Sequence, residues 1–353
     1  MSAARYGVGV STFNSVPPGA GISDVARLAG VSQGTVSNVL NHPERVATAT
    51  RDRVRQAISA LAYVPNGAAR SLAAGGSRSI GLILSDLENS LFVDIARGAE
   101  RAAAEAGMSL LLANSDGRLE SEDRYLDLFA ESRVLSTLLT LNDDQHFRQI
   151  VGRVADSRSL VLLNFQVDPA EYCSVDGHNE RGGYLATRHL IDIGRRRLVF
   201  VGGPDSLRPV SERHRGFSAA LAESGLTAAA DVTPDWINRS DGWRVGTGLV
   251  EAIAAGRIDG IVAASDLLAA GMLQAFATLG RVRVPHDVAI VGYDNNQAAW
   301  DSPVPISTIG QPGEEMGYRG ARLAMEELVE GDAHQHRAVV LEPTLIVRES
   351  TVS

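Results

Sequence analysis

From Ser79 onward the chain repeats one pattern: a short, compact apolar run followed by an amphipathic stretch of helical length. The runs are IGLIL, SLLLAN, TLLTL, LVLLNF, RLVFVGG, DGIVAAS and VAIVGYD. Between or after them, the stretches 91–107, 120–132, 211–225, 242–256 and 266–280 carry apolar residues at helical spacing. Strands that are apolar on both faces must be covered on both faces, and parallel strands need long crossovers, which helices supply. The pattern therefore predicts parallel sheets wound with helices on both sides. The strands outnumber what one mid-sized sheet needs, so two similar lobes are expected. In such sheets a ligand sits beyond the carboxyl ends of the strands. Asp86, Asn114, Asn164, Ser265 and Asp294 fall at those ends.

The first 78 residues follow a different logic. Eight arginines stand there against Asp24, Glu44 and Asp52, a balance of +5, whereas the rest of the chain carries −14. A basic head on an acidic body suits a polyanionic partner at the head. After a tail of residues 1–20, expected to be disordered and closed by Pro17-Pro18-Gly19, three short helices are expected. The first has Ser23 as N-cap, Val25 and Leu28 facing inward, and a stop at Gly30. The second has Ser32 as N-cap, apolar Val36, Val39 and Leu40, and an end near Asn41. The third follows Thr48 and buries Val54, Ile58 and Leu61. Ala26 and Gly30 are small where two helices must cross closely, and Gly30 suits a left-handed turn. On the second helix Gln33, Ser37 and Asn41 form one polar stripe with Gly34 and Asn38 beside it, able to approach base edges in a major groove. A generic helical bundle with a solvated polar face is the plainer alternative.

Next comes VPNGAARSLAAGG, in which Asn66 can cap a helix from Gly67 to about Ala73. A helix this short is unstable alone. It is expected to form when something packs on it, with Leu72 as an apolar wedge able to open a base step in the minor groove. A plain linker is the alternative.

The head motif DVARLAGVSQGTVSNVLN, followed by TRDRVRQAISALAYVPNGAARSL, resembles the LacI/GalR (lactose/galactose repressor) family of transcription regulators, and the resemblance runs from Ile22 to about Glu349. It implies a fold in two parts: an N-terminal three-helix helix-turn-helix head with a hinge helix, then a two-lobed periplasmic-binding-protein-like α/β body. Carried over by position, the DNA-binding residues are Ser32, Gln33, Gly34, Thr35, Ser37, Asn38, Asn41, Asn66, Ala69 and Leu72. Many family members carry arginine where Asn38 stands. Arginine pairs with guanine, whereas asparagine matches adenine N6 and N7, so a different half-site is expected. In the body the motifs DLENSLF, ERHRGF, AASDLLAAGML, VPHDVAIVGYDNN and ISTIGQPGEEMG carry the resemblance. They imply an effector pocket of Phe92, Asn164, Phe165, Arg213, Trp243, Ser265 and Asp294. Arg213 offers a rigid fork of donors, Asp294 and Asn164 suit a polyol, and the aromatics give faces for a sugar ring or a flat base.

Enzymatic chemistry finds little support. The sequence has no lysine, which removes a Walker P-loop and a pyridoxal Schiff base. Gly7-Val8-Gly9 lies in the tail, Gly202-Gly203-Pro204-Asp205 lacks a phosphate-binding lysine, and no serine sits in a nucleophile elbow. His334 and His336 are expected in an exposed turn, and Cys173, the single cysteine, as a small partly buried residue without a histidine partner; no metal or cofactor is expected. One cysteine and no long apolar run point to a cytoplasmic protein without membrane contact. The expected partners are double-stranded operator DNA, a small-molecule effector of carbohydrate type, and a second copy of the chain. No leucine-heptad tail follows Arg348, so a dimer and no tetramer is expected. The expected domains are a head over 21–65, a hinge and linker over 66–78, and a body over 79–350, its lobes 79–177 with 304–331 and 178–303 with 332–350. A sugar-binding or sugar-handling protein with an incidental basic head is the competing class; it has no use for the capped hinge helix.

Overall fold

The computed structural model describes residues 20–63, 78–151 and 159–352, and the chain divides into two units between Ser77 and Arg78. The expected tail, the hinge helix and its residues Asn66, Ala69 and Leu72 lie outside the described residues.

The first unit contains α1 (Ile22–Ala29), α2 (Gln33–Asn41) and α3 (Thr48–Ala60). Gly30 ends α1 in the left-handed region, φ 64°, where a side chain would be strained. Ser32 caps α2, its Oγ accepting from Thr35 N at 3.1 Å. Val25, Val36 and Val54 close a small core with Ala26, Ala29, Val39 and Ala57, and Ile58 and Leu61 pack half-buried against it. Two expectations are corrected. The cap of α1 is Gly21, not Ser23, because the Asp24 carboxylate reaches back to Gly21 N at 2.9 Å and holds the first turn two residues earlier. Leu28 is 56% exposed, because Ala29 takes the inward position one turn after Val25.

The second unit holds two parallel sheets. The first contains β1 (Ser79–Leu84), β2 (Ser109–Asn114), β3 (Ser136–Thr140), β4 (Ser159–Leu163) and β5 (Cys173–Gly177). The second contains β6 (Leu198–Val201), β7 (Ala230–Val232), β8 (Gly260–Ala263), β9 (Ala289–Asp294) and β10 (Ser307–Gly310). The chain then returns to the first sheet as β11 (Ala338–Leu341) and to the second as β12 (Thr344–Ile346). The orders are β11-β5-β4-β3-β1-β2 and β12-β10-β9-β8-β6-β7, with only β12 antiparallel. All seven apolar runs are strands, and six of them lie inside a sheet with buried side chains. SLLLAN is the exception: as the edge strand β2 it leaves Leu111 and Leu112 exposed.

The crossover helices are α4 (Ser90–Glu105), α5 (Leu119–Glu131), α6 (Asp144–Val151), α7 (Asn179–Asp192), α8 (Arg208–Glu223), α9 (Arg239–Ala254), α10 (Asp266–Leu279), α11 (Gln297–Asp301) and α12 (Gly313–Glu330). Helices α4 and α12 approach backbone to backbone. A Cβ on Gly98 would collide with the Glu314 carbonyl and one on Gly317 with that of Ile95, so only glycine fits either position.

The expected lobe boundaries need correction at two strands. Ser307–Gly310 pairs with β9 in the second sheet, although 304–331 was assigned to the first lobe; Ala338–Leu341 pairs with β5 in the first, although 332–350 was assigned to the second. Each strand extends a sheet edge far away in sequence, so local pattern does not reveal its sheet. The chain therefore passes between lobes after β5, after β10 and after β11. Among the described residues no helix is long and apolar enough to cross a membrane.

Candidate functional site

On the head unit, the start of α2 is held by a local network. Besides capping Thr35 N, Ser32 Oγ lies 2.9 Å from Thr35 Oγ1, and Asn41 Nδ2 donates to Ser37 Oγ at 3.3 Å. Gln33, Gly34, Asn38 and Asn41 are exposed, with Ser37 half-buried between them, so the polar stripe expected from sequence is one open face. Gly34 has room for a side chain: a Cβ would meet only Ser32 Oγ, at an ordinary 3.7 Å. Its bareness is not required by packing, and it leaves the backbone open to close approach. Arg51 is turned inward, donating to Pro43 O and Thr48 Oγ1, and serves the fold of the head.

In the body, the carboxyl ends of both sheets face a cavity of about 510 Å³, within the range of small-molecule sites. Phe92, Asn164, Arg213, Ser265 and Asp294 line it, five of the seven effector residues expected from sequence. The other two lie elsewhere. Phe165 is fully buried beside the cavity, against Phe147 at 5.3 Å between ring centres, with the Arg208 guanidinium 4.7 Å over its ring. Trp243 sits in the first turns of α9, whose flanking glycine Gly242 packs onto the α10 backbone. The aromatic that lines the cavity in its stead is Trp236, seven residues earlier in the loop before α9 and 68% exposed. Asn114, at the end of edge strand β2, also stays outside and bonds Asp116.

Asp294 and Arg213 form the centre of the site. Asp294 ends β9 at φ 97°, and its carboxylate accepts from Asn89 Nδ2 at 2.8 Å and from Gln311 Nε2 at 3.0 Å. Arg213 NH2 lies 3.4 Å from Asp294 Oδ1, while its Nε donates to Asn179 Oδ1 at 3.0 Å and NH1 to Ala264 O at 2.5 Å. The guanidinium also stacks 3.7 Å over the Tyr293 ring. Asn89 caps α4 of the first lobe, so its bond to Asp294 crosses the cleft, as does Gln297 N donating to Ser90 Oγ at 3.0 Å. Arg208 makes a third bridge, from α8 to Gln166 O.

Acidic groups dominate the lining: Asp86, Glu88, Asp116, Glu122, Asp143 and Asp235 join Asp294. Burial pushes the Asp86 and Glu122 carboxyls above the usual carboxylate range, and for Glu122 the neighbouring His146 partly opposes it. Behind Asp294, fully buried Asp266 is pushed well above that range by burial and then by the Asp294 charge. Asn164 Oδ1 has no donor among the described residues, although its Nδ2 donates to Asn142 Oδ1 at 2.8 Å. Sequence inspection missed Asn89, Asn142 and Trp236. The first two were signalled by position, since Asn142 follows β3 and Asn89 precedes α4; Trp236 carried no signal.

One further cluster corrects the sequence expectation. His334 is not in an exposed turn, its side chain being 2% exposed, and Cys173 does have histidine partners: its Sγ lies 3.3 Å from His334 Nε2 and 3.7 Å from His336 Nδ1. Burial pushes the Cys173 thiol above its ordinary range.

Comparison with known proteins agrees with this architecture. Residues 21–66 match the family described as bacterial regulatory proteins, lacI family, and residues 187–351 match a periplasmic binding protein-like domain. The HTH-type transcriptional repressor PurR of Photobacterium profundum is 34% identical over 93% of this chain and 98% of its own length. Among solved structures, a transcriptional regulator CelR–cellobiose complex is 31% identical with a TM-score of 0.68, covering 94% of this chain and 99% of that one. The lac repressor dimer bound to operator and the anti-inducer ONPF is 25% identical with a TM-score of 0.78, covering 95% and 99%. With its helix-turn-helix head, two-sheet body and full-length relatives, the chain belongs to the LacI family of transcriptional repressors and is not an enzyme.

Proposed function

We propose that this repressor binds a palindromic operator as a homodimer and responds to a neutral carbohydrate held between the lobes of its body. Residues 21–65 are the DNA-reading head, 66–78 the hinge with Leu72 as wedge, and 79–350 the effector and dimerisation body. Gln33, Gly34 and Asn38 read bases, Thr35 and Ser37 contact phosphate or base, and Ser32 and Asn41 support them.

The observation that carries the effector class is the lining of the cavity. Carboxylates and amides around one buried guanidinium offer alternating acceptors and donors, which suit hydroxyls and repel an anionic ligand. The orphan acceptor of Asn164 calls for a donor from the ligand, and Trp236 offers an exposed face for an apolar sugar surface. Dimerisation is supported by edge strand β2, whose exposed Leu111 and Leu112 make it a surface that pairs or is covered.

Thermal unfolding with cellobiose and related neutral sugars, and with hypoxanthine as a purine arm, tests the effector. A ligand at a hundred times its Kd stabilises by about 2.7 kcal/mol, which for a body of this size raises the midpoint by roughly 5–10 °C. A shift with a purine and with no sugar overturns the carbohydrate assignment. Selection from randomised duplexes tests the operator: two-fold symmetric winners are expected, with steep salt dependence, and a site without symmetry counts against the dimer. Leu72→Ala should weaken the selected duplex far more than random DNA.

A further inference from the structure

We propose that Cys173, His334 and His336 form a binding site for a divalent transition-metal ion, zinc foremost, at the edge of the first lobe. Strand pairing brings them together across the sequence. Ser174 pairs with Ala338, so Cys173 at the start of β5 stands beside the segment that leads into β11. Their three candidate ligand atoms lie within 4.8 Å of one another. In a tetrahedral site with Zn–S about 2.3 Å and Zn–N about 2.0–2.1 Å, sulfur and nitrogen stand about 3.5 Å apart. The observed 3.3 Å and 3.7 Å bracket that spacing.

The surroundings are those of a ligand set. His334 Nδ1 lies 2.7 Å from Glu330 Oε2, so the ring donates from Nδ1 and turns the lone pair of Nε2 toward Sγ. A carboxylate that orients a histidine in this way is the usual outer partner of a metal-bound imidazole. Arg337 N donates to Sγ at 3.4 Å, a bond that favours thiolate. The site lies beside the carboxyl-terminal turn of α12, where the helix dipole and the Glu327 and Glu330 side chains attract a cation, Glu326 being paired with Arg337. A soft sulfur with two imidazoles selects zinc, cobalt or copper over magnesium or calcium. On binding, the thiol releases its proton to solvent, Sγ, Nε2 and Nδ1 coordinate, and water takes the fourth position. The ion ties β5 to the strap between α12 and β11, and so secures an edge strand of the sheet. None of the three residues lines the effector cavity, which lies at the carboxyl ends of the strands, whereas Cys173 stands at the start of β5.

Cobalt titration of the untagged, chelator-treated full-length chain tests this. Cys173 is the only cysteine, so a thiolate-to-cobalt charge-transfer band reports one residue. One equivalent of Co²⁺ should give that band with tetrahedral visible absorption, and Zn²⁺ should displace it and raise the unfolding midpoint. Cys173→Ser should lose the band, and Glu330→Gln should weaken binding by about 10–100-fold. His336→Ala, at a half-exposed position that tolerates truncation, should weaken binding while keeping the native circular dichroism. No charge-transfer band in the folded wild type, or affinity unchanged in His336→Ala and Cys173→Ser, overturns the proposal.

Discussion

Replacing Arg213 by methionine probes the centre of the proposed effector site, because it keeps most of the side-chain volume and removes the guanidinium. Besides the stacking on Tyr293, three polar partners are affected. Ala264 O and Asn179 Oδ1 lose their donor, and Asp294 loses its counter-charge while keeping Asn89 and Gln311. Each orphaned buried acceptor costs about 1–3 kcal/mol, and breaking a buried ion pair costs about 3–5 kcal/mol. These costs share one desolvation penalty and do not add, so a total of about 3–5 kcal/mol is expected for Arg213→Met. Against a domain stability of roughly 5–15 kcal/mol the body still folds. Asp294→Asn alone should cost less, since the amide keeps the shape and an acceptor. The double variant should then be more stable than the sum of the singles implies by about 1–3 kcal/mol, because the unpaired charge is gone. Urea unfolding followed by far-ultraviolet circular dichroism measures all four corners of the cycle. Strict additivity would show that the two residues act separately and would refute the pair as a unit. In the same proteins the midpoint shift produced by the wild-type ligand should vanish, with operator affinity in its absence preserved. Folded variants that lose DNA binding instead place the pair in the frame that transmits the response.

Asp176, buried on β5 with burial and then Glu212 raising its carboxyl to about 7, has a folded pKa above its unfolded value of 3.8. Its contribution is therefore full below pH 4 and lost as the pH rises through 7, so Asp176→Asn should match the wild type at pH 4 and exceed it at pH 8, by roughly 4 kcal/mol in urea unfolding; equal stability of the two at pH 8 would contradict this. Asn38→Ala should flatten base preference at one position of each half-site and Asn38→Arg should move it toward guanine, a discrimination of about 1–3 kcal/mol read by duplex selection; identical consensus sequences for wild type and Asn38→Arg would remove Asn38 from base reading. Leu112→Glu places a charge on the exposed edge of β2 and should shift a dimer toward monomer in light scattering without altering the circular dichroism; an unchanged mass would locate the dimer contact elsewhere.

The parts of the fold legible in the sequence are those fixed by neighbours along the chain. Ser32, Gly30 and the spacing of Val25, Val36 and Val54 specify the head because caps, turns and helical faces are local. The strand runs are legible because strands buried on both faces must be continuously apolar. Helices α7 and α12 were not among the expected amphipathic stretches although they carry as much apolar contrast as α9 and α10; what local pattern does not reveal in them is the close packing, Gly183 and Gly317 sitting where backbones nearly touch. The sheets of β10 and β11 were assigned the wrong way round because pairing at a sheet edge is decided by distant partners. Trp236 and Trp243 lie in one polar segment, and nothing local says which of them reaches the cavity. Cys173 and His334 are 161 positions apart, and only the β5–β11 pairing joins them.

The cavity has a further mark that sequence does not carry. Six non-glycine residues adopt positive φ among those described, and three of them, Asp116, Asn164 and Asp294, line this one cavity. Asparagine and aspartate tolerate that conformation better than other residues, yet each instance still costs of order 1–3 kcal/mol when the surroundings enforce it. At Asn164 and Asp294 the backbone leaves a strand and turns at once, so the side chain is carried into the cleft and does not continue over a sheet face. Glycine would take either backbone at lower cost and present nothing to a ligand. The strain is retained together with the polar side chain, Asp294 holding Arg213, Asn89 and Gln311 around it and Asn164 keeping an acceptor without a donor. Rigid sheets below supply the constraint that keeps both residues turned. A cavity that existed only through loose packing would need neither the strained backbone nor the orphaned acceptor.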